Sequence, residues 1–296
     1  MVRVVVTGGG GKSGACTVAE LSSHGHEVTV LDISPAPAAA PAGVRWRMRS
    51  VEDAAGVEAE LRAARADAVV HLARSAPSAD DRTTYRSHVM GTYHVLAAAV
   101  ASGAGIAVVA SSIRALGDYW RLQTRPRYLP LDEAHPCAPR GAYEAAKRSI
   151  EETCGAITRE HGLTTIAVRP TGIVAPDQWP DVRRRREAAL GAGRAFVGTP
   201  LDNYVDARDV AQLIRLAVEA AARGTVTGAA VFHAAAADAP AGPSLGEAVA
   251  AWRPEWATLT AGLGPEETGI SIAAARRELG YAPRHRSRDL LAGAPS

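Results

Sequence analysis

Tyr143 and Lys147 stand four residues apart in YEAAK, inside a stretch with helical patterning. On a helix that spacing puts both side chains on one face, a turn apart. A phenol with its ordinary pKa of about 10 is a poor base at neutral pH. A neighbouring ammonium favours the phenolate and brings proton transfer within reach. Ser112 follows the β-branched run Ile106–Ser111. A hydroxyl at the carboxyl end of a parallel strand can donate to a substrate oxygen and steady the charge that develops there. Most Tyr/Lys pairs at this spacing are surface pairs on a helix. The weight here comes from their place after a strand ending Ser-Ser, in a chain that begins with a glycine loop.

That loop follows Val2–Val6, a run nearly continuous in apolar β-branched residues, as buried parallel strands are. Gly8, Gly11 and Gly14 recur at a spacing of three. Such glycines permit a tight turn, close backbone approach to a pyrophosphate, and close packing of the next helix, whose N-terminal N–H groups hold the phosphates. Gly11-Lys12-Ser13 does not make a P-loop, because Val6 stands where that motif needs its first glycine. Asp32 closes the second strand, eighteen residues after Gly14. An acid there accepts hydrogen bonds from the adenosine ribose and repels a 2′-phosphate, so NAD is expected rather than NADP. A solvated loop carboxylate is the alternative for Asp32, and Lys12 is a cation within reach of a 2′-phosphate.

Strand-like runs at Glu27–Asp32, Val44–Met48, Ala68–Ala73, Ile106–Ser111 and Thr165–Arg169 alternate with helical patterns. The latter are Lys12–Ser23, Glu52–Arg65, Tyr85–Ala101 and Tyr143–His161. This order predicts an α/β fold, a doubly wound parallel sheet (Rossmann) with a small C-terminal α/β substrate-binding lobe. The expected division is a dinucleotide-binding domain over residues 1–175 and a mainly substrate-binding lobe over 176–296, with 204–235 returning to the Rossmann core.

With 296 residues, 47% hydrophobic and 22% charged, the chain has the composition of a soluble globular protein. A formal net charge of +2 gives no reason to expect nucleic acid or membrane as a partner. No run approaches a membrane span, and the N-terminus enters a strand without a signal peptide. Cys16, Cys137 and Cys154 are odd in number and scattered, consistent with a reduced, cytoplasmic protein in which they are small packing residues. No HExxH or comparable ligand set occurs, so no metal is expected.

The chain resembles the extended short-chain dehydrogenase/reductases of the NAD-dependent epimerase/dehydratase family. The matching stretches are TGGGGKSG (Thr7–Gly14), HLA (His71–Ala73), Gly91-Thr92, ASSIRALG (Ala110–Gly117), PLDEAHP (Pro130–Pro136) and YEAAK. VRPTGIVAP (Val168–Pro176), YVDARDVA (Tyr204–Ala211) and ARRELGYAP (Ala275–Pro283) follow in the family's order. The resemblance implies that Tyr143 is the general base, Lys147 its partner and a ribose ligand, and Ser112 the hydroxyl-binding group. Together with the loop and strand readings above, the expected cofactor residues are Gly8, Gly11, Lys12, Ser13, Gly14, Asp32, Leu72, Ala73, Lys147 and Pro170, and the candidate substrate residues are Ser75, Arg114, Thr171 and Arg183. The implied reaction is NAD-dependent oxidation of a secondary hydroxyl on a sugar or sugar-like molecule. Epimerisation through a transient ketone is preferred, with net dehydrogenation of a sugar or uronate as the alternative. A non-catalytic NAD-sensing regulator would not need Tyr143, Lys147 and Ser112 together. A homodimer through Tyr85–Ala101 and Tyr143–His161 is implied by the same resemblance.

Four positions depart from the family pattern. Ser50 stands where an acid near the adenine is common, and His88 where an Asn is usual. Leu116-Gly117 replaces Tyr-Gly, and Gly172 replaces an Asn that helps seat sugar nucleotides. After Ser112, where family dehydratases carry Asp-Glu and decarboxylases Glu, this chain has Ile113 and Arg114, which disfavours both reactions. Arg114 is either a contact for an anionic group or a solvated side chain. The run Arg183–Arg186 is either a solvated helix face or an anion site, since consecutive helical residues point around the helix.

Overall fold

The β-branched runs form the middle layer of the molecule. In a computed structural model describing all residues except 76–78, 122–123, 192–202, 239–243, 266 and 293–296, the strands are β1 (Arg3–Thr7), β2 (Glu27–Asp32), β3 (Arg45–Met48), β4 (Ala68–His71), β5 (Ile106–Ala110), β6 (Thr164–Pro170), β7 (Gly172–Val174), β8 (Tyr204–Asp206) and β9 (Ala229–Ala234). Seven of them make one sheet in the order β3-β2-β1-β4-β5-β6-β9, parallel throughout. β7 and β8 pair separately, with Gly172 opposite Tyr204. The helices are α1 (Lys12–Ser23), α2 (Ala54–Ala64), α3 (Asp81–Ser102), α4 (Ala142–His161), α5 (Trp179–Gly191), α6 (Ala207–Ala222), α7 (Leu245–Trp252), α8 (Ala273–Leu279) and α9 (Ser287–Ala292).

Strand residues alternate faces, and both faces of this sheet are buried. Val4, Val6, Val30, Val70 and Val108 pack with Val18 and Leu21 of α1 and Leu213 and Val218 of α6. Val5, Leu31, Val69 and Val109 pack on the opposite face with Leu61 of α2, Leu96 of α3 and Ile150 of α4. Fully burying one such side chain contributes ~2 kcal/mol, so the two-sided burial holds the strands in register. The strand order reverses between β1 and β4, and in an open α/β sheet the ligand crevice lies outside the carboxyl ends of the strands at that point.

The first βαβ unit matches its expected bounds for α1 and β2. α3 begins at Asp81 rather than Tyr85, because the Asp80 carboxylate accepts the Thr83 N–H at 2.8 Å and caps the helix a turn earlier. The chain beyond β9 folds back on the loop after β5. Leu131 N–H donates to Gly269 O, and Ser271 N–H to Leu131 O, both at 2.8 Å. No described helix is long and apolar enough to cross a membrane.

Candidate active site

The glycine loop leaves β1 with Gly8 at φ +75°, its N–H donating to Leu31 O at 2.9 Å. A Cβ on Gly8 would lie 2.6 Å from Ala73 N, where the loop after β4 crosses. One on Gly14 would lie 2.1 Å from Gly8 O, so α1 can approach the loop only through glycine. Gly11 is the N-cap of α1 and supplies no side chain to its first-turn N–H groups; Lys12 is exposed and Ser13 half-buried. Those bare N–H groups at a helix N-terminus fit a diphosphate. Asp32 stands beside them, accepting Gly10 N–H at 2.8 Å and Ser34 N–H at 2.9 Å. Below the loop, Thr7 Oγ1 and His71 Nδ1 pair at 2.7 Å. Burial, reinforced by the Lys147 cation, pushes His71 down to about 3 and keeps it neutral.

α4 presents Tyr143 and Lys147, as their spacing predicts. The helix start is tied down by Glu144, whose carboxylate accepts Arg140 N–H at 2.9 Å and Arg114 Nη2 at 3.1 Å. Lys147 is buried, 4% exposed, and its Nζ donates to Ala110 O at 2.7 Å. Burial first, then the Arg74 cation, pushes its amine down to about 7. Lys147 Nζ lies 5.7 Å from the half-buried Tyr143 ring centroid, and the Arg114 guanidinium 5.2 Å from it. His88 meets the same ring edge-on, centroids 5.6 Å apart. Burial, helped by Lys147, lowers His88 to about 3, so it adds no charge. Ser112 is buried and extended (φ −163°, ψ 151°), and its Oγ accepts Arg114 N–H at 3.2 Å.

Ser112, Tyr143, Arg114 and Thr171 line one cavity of about 240 Å³. Its apolar wall is Ile113, Leu116, Leu131 and Ile270, and Tyr119, Gly172 and Asn203 complete the lining. The cavity thus brings together Ser112, Tyr143 and two of the four expected substrate residues, while Lys147 lies outside its lining, 5.7 Å from the Tyr143 ring centroid. Arg114 is engaged with Glu144. Ser75, half-buried after β4, is not in this lining. Nor is Arg183, which donates to Leu290 O at 3.1 Å, joining α5 to α9. Arg184 pairs with Asp181, and the Arg186 side chain lies outside the described residues. Leu72 and Ala73 flank the glycine loop, and Pro170 ends β6 opposite Ala234. The apolar wall and Asn203 were not read from the sequence. Leu131 and Ile270 meet only through the long-range backbone pairing described above. Asn203 precedes β8; its Oδ1 accepts Tyr204 N–H at 2.8 Å, while its buried Nδ2 has no partner among the described residues.

The cysteines are free. Burial pushes the Cys154 thiol up to about 12 and raises Cys16, which makes both poor nucleophiles.

Comparison with known proteins points the same way. The family model described as NAD dependent epimerase/dehydratase matches residues 4–233. A UDP-glucose 4-epimerase of Corynebacterium glutamicum is 29% identical over 174 residues, 57% of this chain and 50% of that protein. The chain therefore spans about half the length of that relative. A 2-alkyl-3-oxoalkanoate reductase of Stenotrophomonas maltophilia is 31% identical over 230 residues, covering 75% of this chain and 67% of the relative. Among solved structures, the UDP-glucose 4-epimerase of Brucella ovis in complex with NAD superposes with a TM-score of 0.73 over 98% of this chain and 96% of that one. At 22% identity that likeness concerns the fold.

Proposed function

Because the chain belongs to the NAD-dependent epimerase/dehydratase family, we propose that it is an NAD-dependent enzyme that oxidises a secondary hydroxyl of a sugar-type substrate, with epimerisation as the outcome. The observation that carries this reading is the sharing of one cavity by Tyr143 and Ser112 with Lys147 buried behind them. Bound NAD supplies a reversible hydride acceptor. The glycine loop, the first turn of α1 and Asp32 would hold its diphosphate and ribose. Tyr143 takes the hydroxyl proton as the carbonyl forms, and returns it when the ketone is reduced. Lys147, in its protonated form, favours the phenolate through its charge, an effect that is full below about pH 7 and fades above it. Ser112 donates to the same substrate oxygen and holds the reacting carbon in place.

A second reading, net reduction of an alkyl-bearing ketone, is favoured by Ile113, Leu116, Leu131 and Ile270 on the cavity wall and by the name of the Stenotrophomonas relative. Against it, Asn203 in the same cavity lining, whose Nδ2 has no partner among the described residues, favours an oxygen-rich substrate. Absorbance of the reduced nicotinamide separates the outcomes, with UDP-glucose, D-galacturonate and a 2-alkyl-3-oxo acid as probes. Inversion without net NADH supports the epimerase, and net NADH from a sugar the dehydrogenase. NADH consumption with the oxo acid alone refutes the sugar reading. The proposal includes a homodimer through α3 and α4, supported by Tyr85, Met90 and Tyr93, which stand 41%, 45% and 48% exposed on α3. A monomeric mass by light scattering would remove it.

A further inference from the structure

Two residues before the cavity is reached, the end of β5 is gripped by α4 twice. Lys147 Nζ donates to Ala110 O at 2.7 Å, and Ser111 Oγ donates to Glu151 Oε1 at 2.6 Å. Lys147 and Glu151 are one turn apart on α4, so a single helix face makes both contacts. Glu151 is itself fixed from a third element. Arg169 of β6 clamps it with Nε and Nη2, each at 2.7 Å, and both side chains are almost wholly buried. A two-pronged guanidinium clamp restricts a carboxylate in rotation as well as position. Ser111 N–H continues the sheet ladder one residue past β5, donating to Val168 O at 2.8 Å. Ser112 is extended too. Neighbouring extended residues point to opposite sides. The Ser111 hydroxyl therefore faces α4 while Ser112 faces the cavity, and the roll of one sets the roll of the other.

We infer that Ser111 is a positioning residue: its hydrogen bond to the clamped Glu151 fixes the rotation of the β5 end and so aims the Ser112 hydroxyl at the reacting oxygen. This rests on the proposed role of Ser112. The bland alternative is a buried polar network that holds the core and nothing more. The two differ in what a small deletion does. Ser111→Ala removes one hydroxyl and leaves the Arg169–Glu151 clamp and the Lys147 contact in place.

The test uses the full chain with NAD and the same three probes, and compares wild type, Ser111→Ala and Ser111→Thr. For whichever probe is turned over, Ser111→Ala should lower kcat at least tenfold, with KM and NADH affinity within threefold and Tm within two or three degrees. Ser111→Thr, which keeps the hydroxyl, should restore kcat to within threefold. Unchanged kcat in Ser111→Ala overturns the inference. So does a kcat loss matched by falls in Tm and NADH affinity, which marks a structural role only. A Ser111→Thr protein with wild-type Tm that stays as slow as Ser111→Ala overturns it as well. Wild-type protein inert toward all three probes overturns the functional reading, and this inference with it.

Discussion

Replacing Lys147 with methionine should abolish turnover and at the same time stabilise the cofactor-free fold. The amine sits in a buried site that lowers its pKa from 10.5 to about 7. That depression corresponds to roughly 5 kcal/mol favouring the neutral amine over the ammonium. The sign follows from proton linkage. Between pH 7 and about 10.4 the unfolded chain holds the lysine proton and the folded chain does not, so stability from this group rises with pH. The burial penalty is present in full below pH 7 and fades as pH approaches the unfolded value. Methionine fills a similar volume without charge. It leaves Ala110 O without its donor, a loss on the order of 1 kcal/mol that does not depend on pH. At pH 6 Lys147→Met should therefore exceed wild type by about 2–4 kcal/mol once relaxation of the site is allowed for. At about 2–4 °C per kcal/mol, that is several degrees in Tm. The assay is thermal unfolding of both proteins, without added nicotinamide, at pH 6, 8 and 10. Groups that do not feel Lys147 cancel in the difference, and His71 and His88, freed of its cation, add to the gap at pH 6 in the same direction. The expected gap is widest at pH 6 and nearly closed by pH 10. A gap that stays constant across that range, or a variant less stable than wild type at pH 6, would refute the reasoning.

Three further outcomes are expected. Tyr143→Phe should lower turnover by about 10²–10⁴-fold while NADH still binds, as a fluorescence titration would register; retained turnover sinks the assigned base. Gly14→Ala puts a Cβ 2.1 Å from Gly8 O, so it should cost about 1–3 kcal/mol in denaturant unfolding and remove nicotinamide binding. A variant that unfolds and binds like wild type would mean that the loop relaxes freely. Asp32→Ala removes the acceptor for Gly10 and Ser34 and the charge that opposes a 2′-phosphate. The ratio of NADP to NAD affinity should rise, and an unchanged ratio would assign Asp32 to the loop alone.

Much of this was legible because local chemistry and tertiary position coincide. Gly8 and Gly14 stand where the crossing loop and α1 leave no space for a side chain, and both constraints arise within a short span of chain. Tyr143 and Lys147 share a face because helical geometry alone puts them there. The apolar half of the cavity was not legible, since Leu131 and Ile270 are far apart in sequence and meet through backbone pairing that no side-chain pattern announces. Arg114 was read as a choice between substrate contact and solvation. It proved to line the cavity and also to be paired with Glu144, because burial of a carboxylate at the start of α4 calls for a cation nearby.

The Arg114–Glu144 pair bears on how this scaffold could be redirected. By the resemblance, dehydratases and decarboxylases of the family carry an acid just after the position of Ser112, and a designer would first try Arg114→Glu. Here that substitution would set a second carboxylate against the buried Glu144 and remove a partner that helps hold the start of α4. The new acid would meet like-charge repulsion, and the helix carrying Tyr143 would lose an anchor. Changing the reaction therefore requires two coordinated substitutions, with Glu144 neutralised before or together with Arg114. Single-step variants between the two chemistries are expected to be poorer catalysts than either end point.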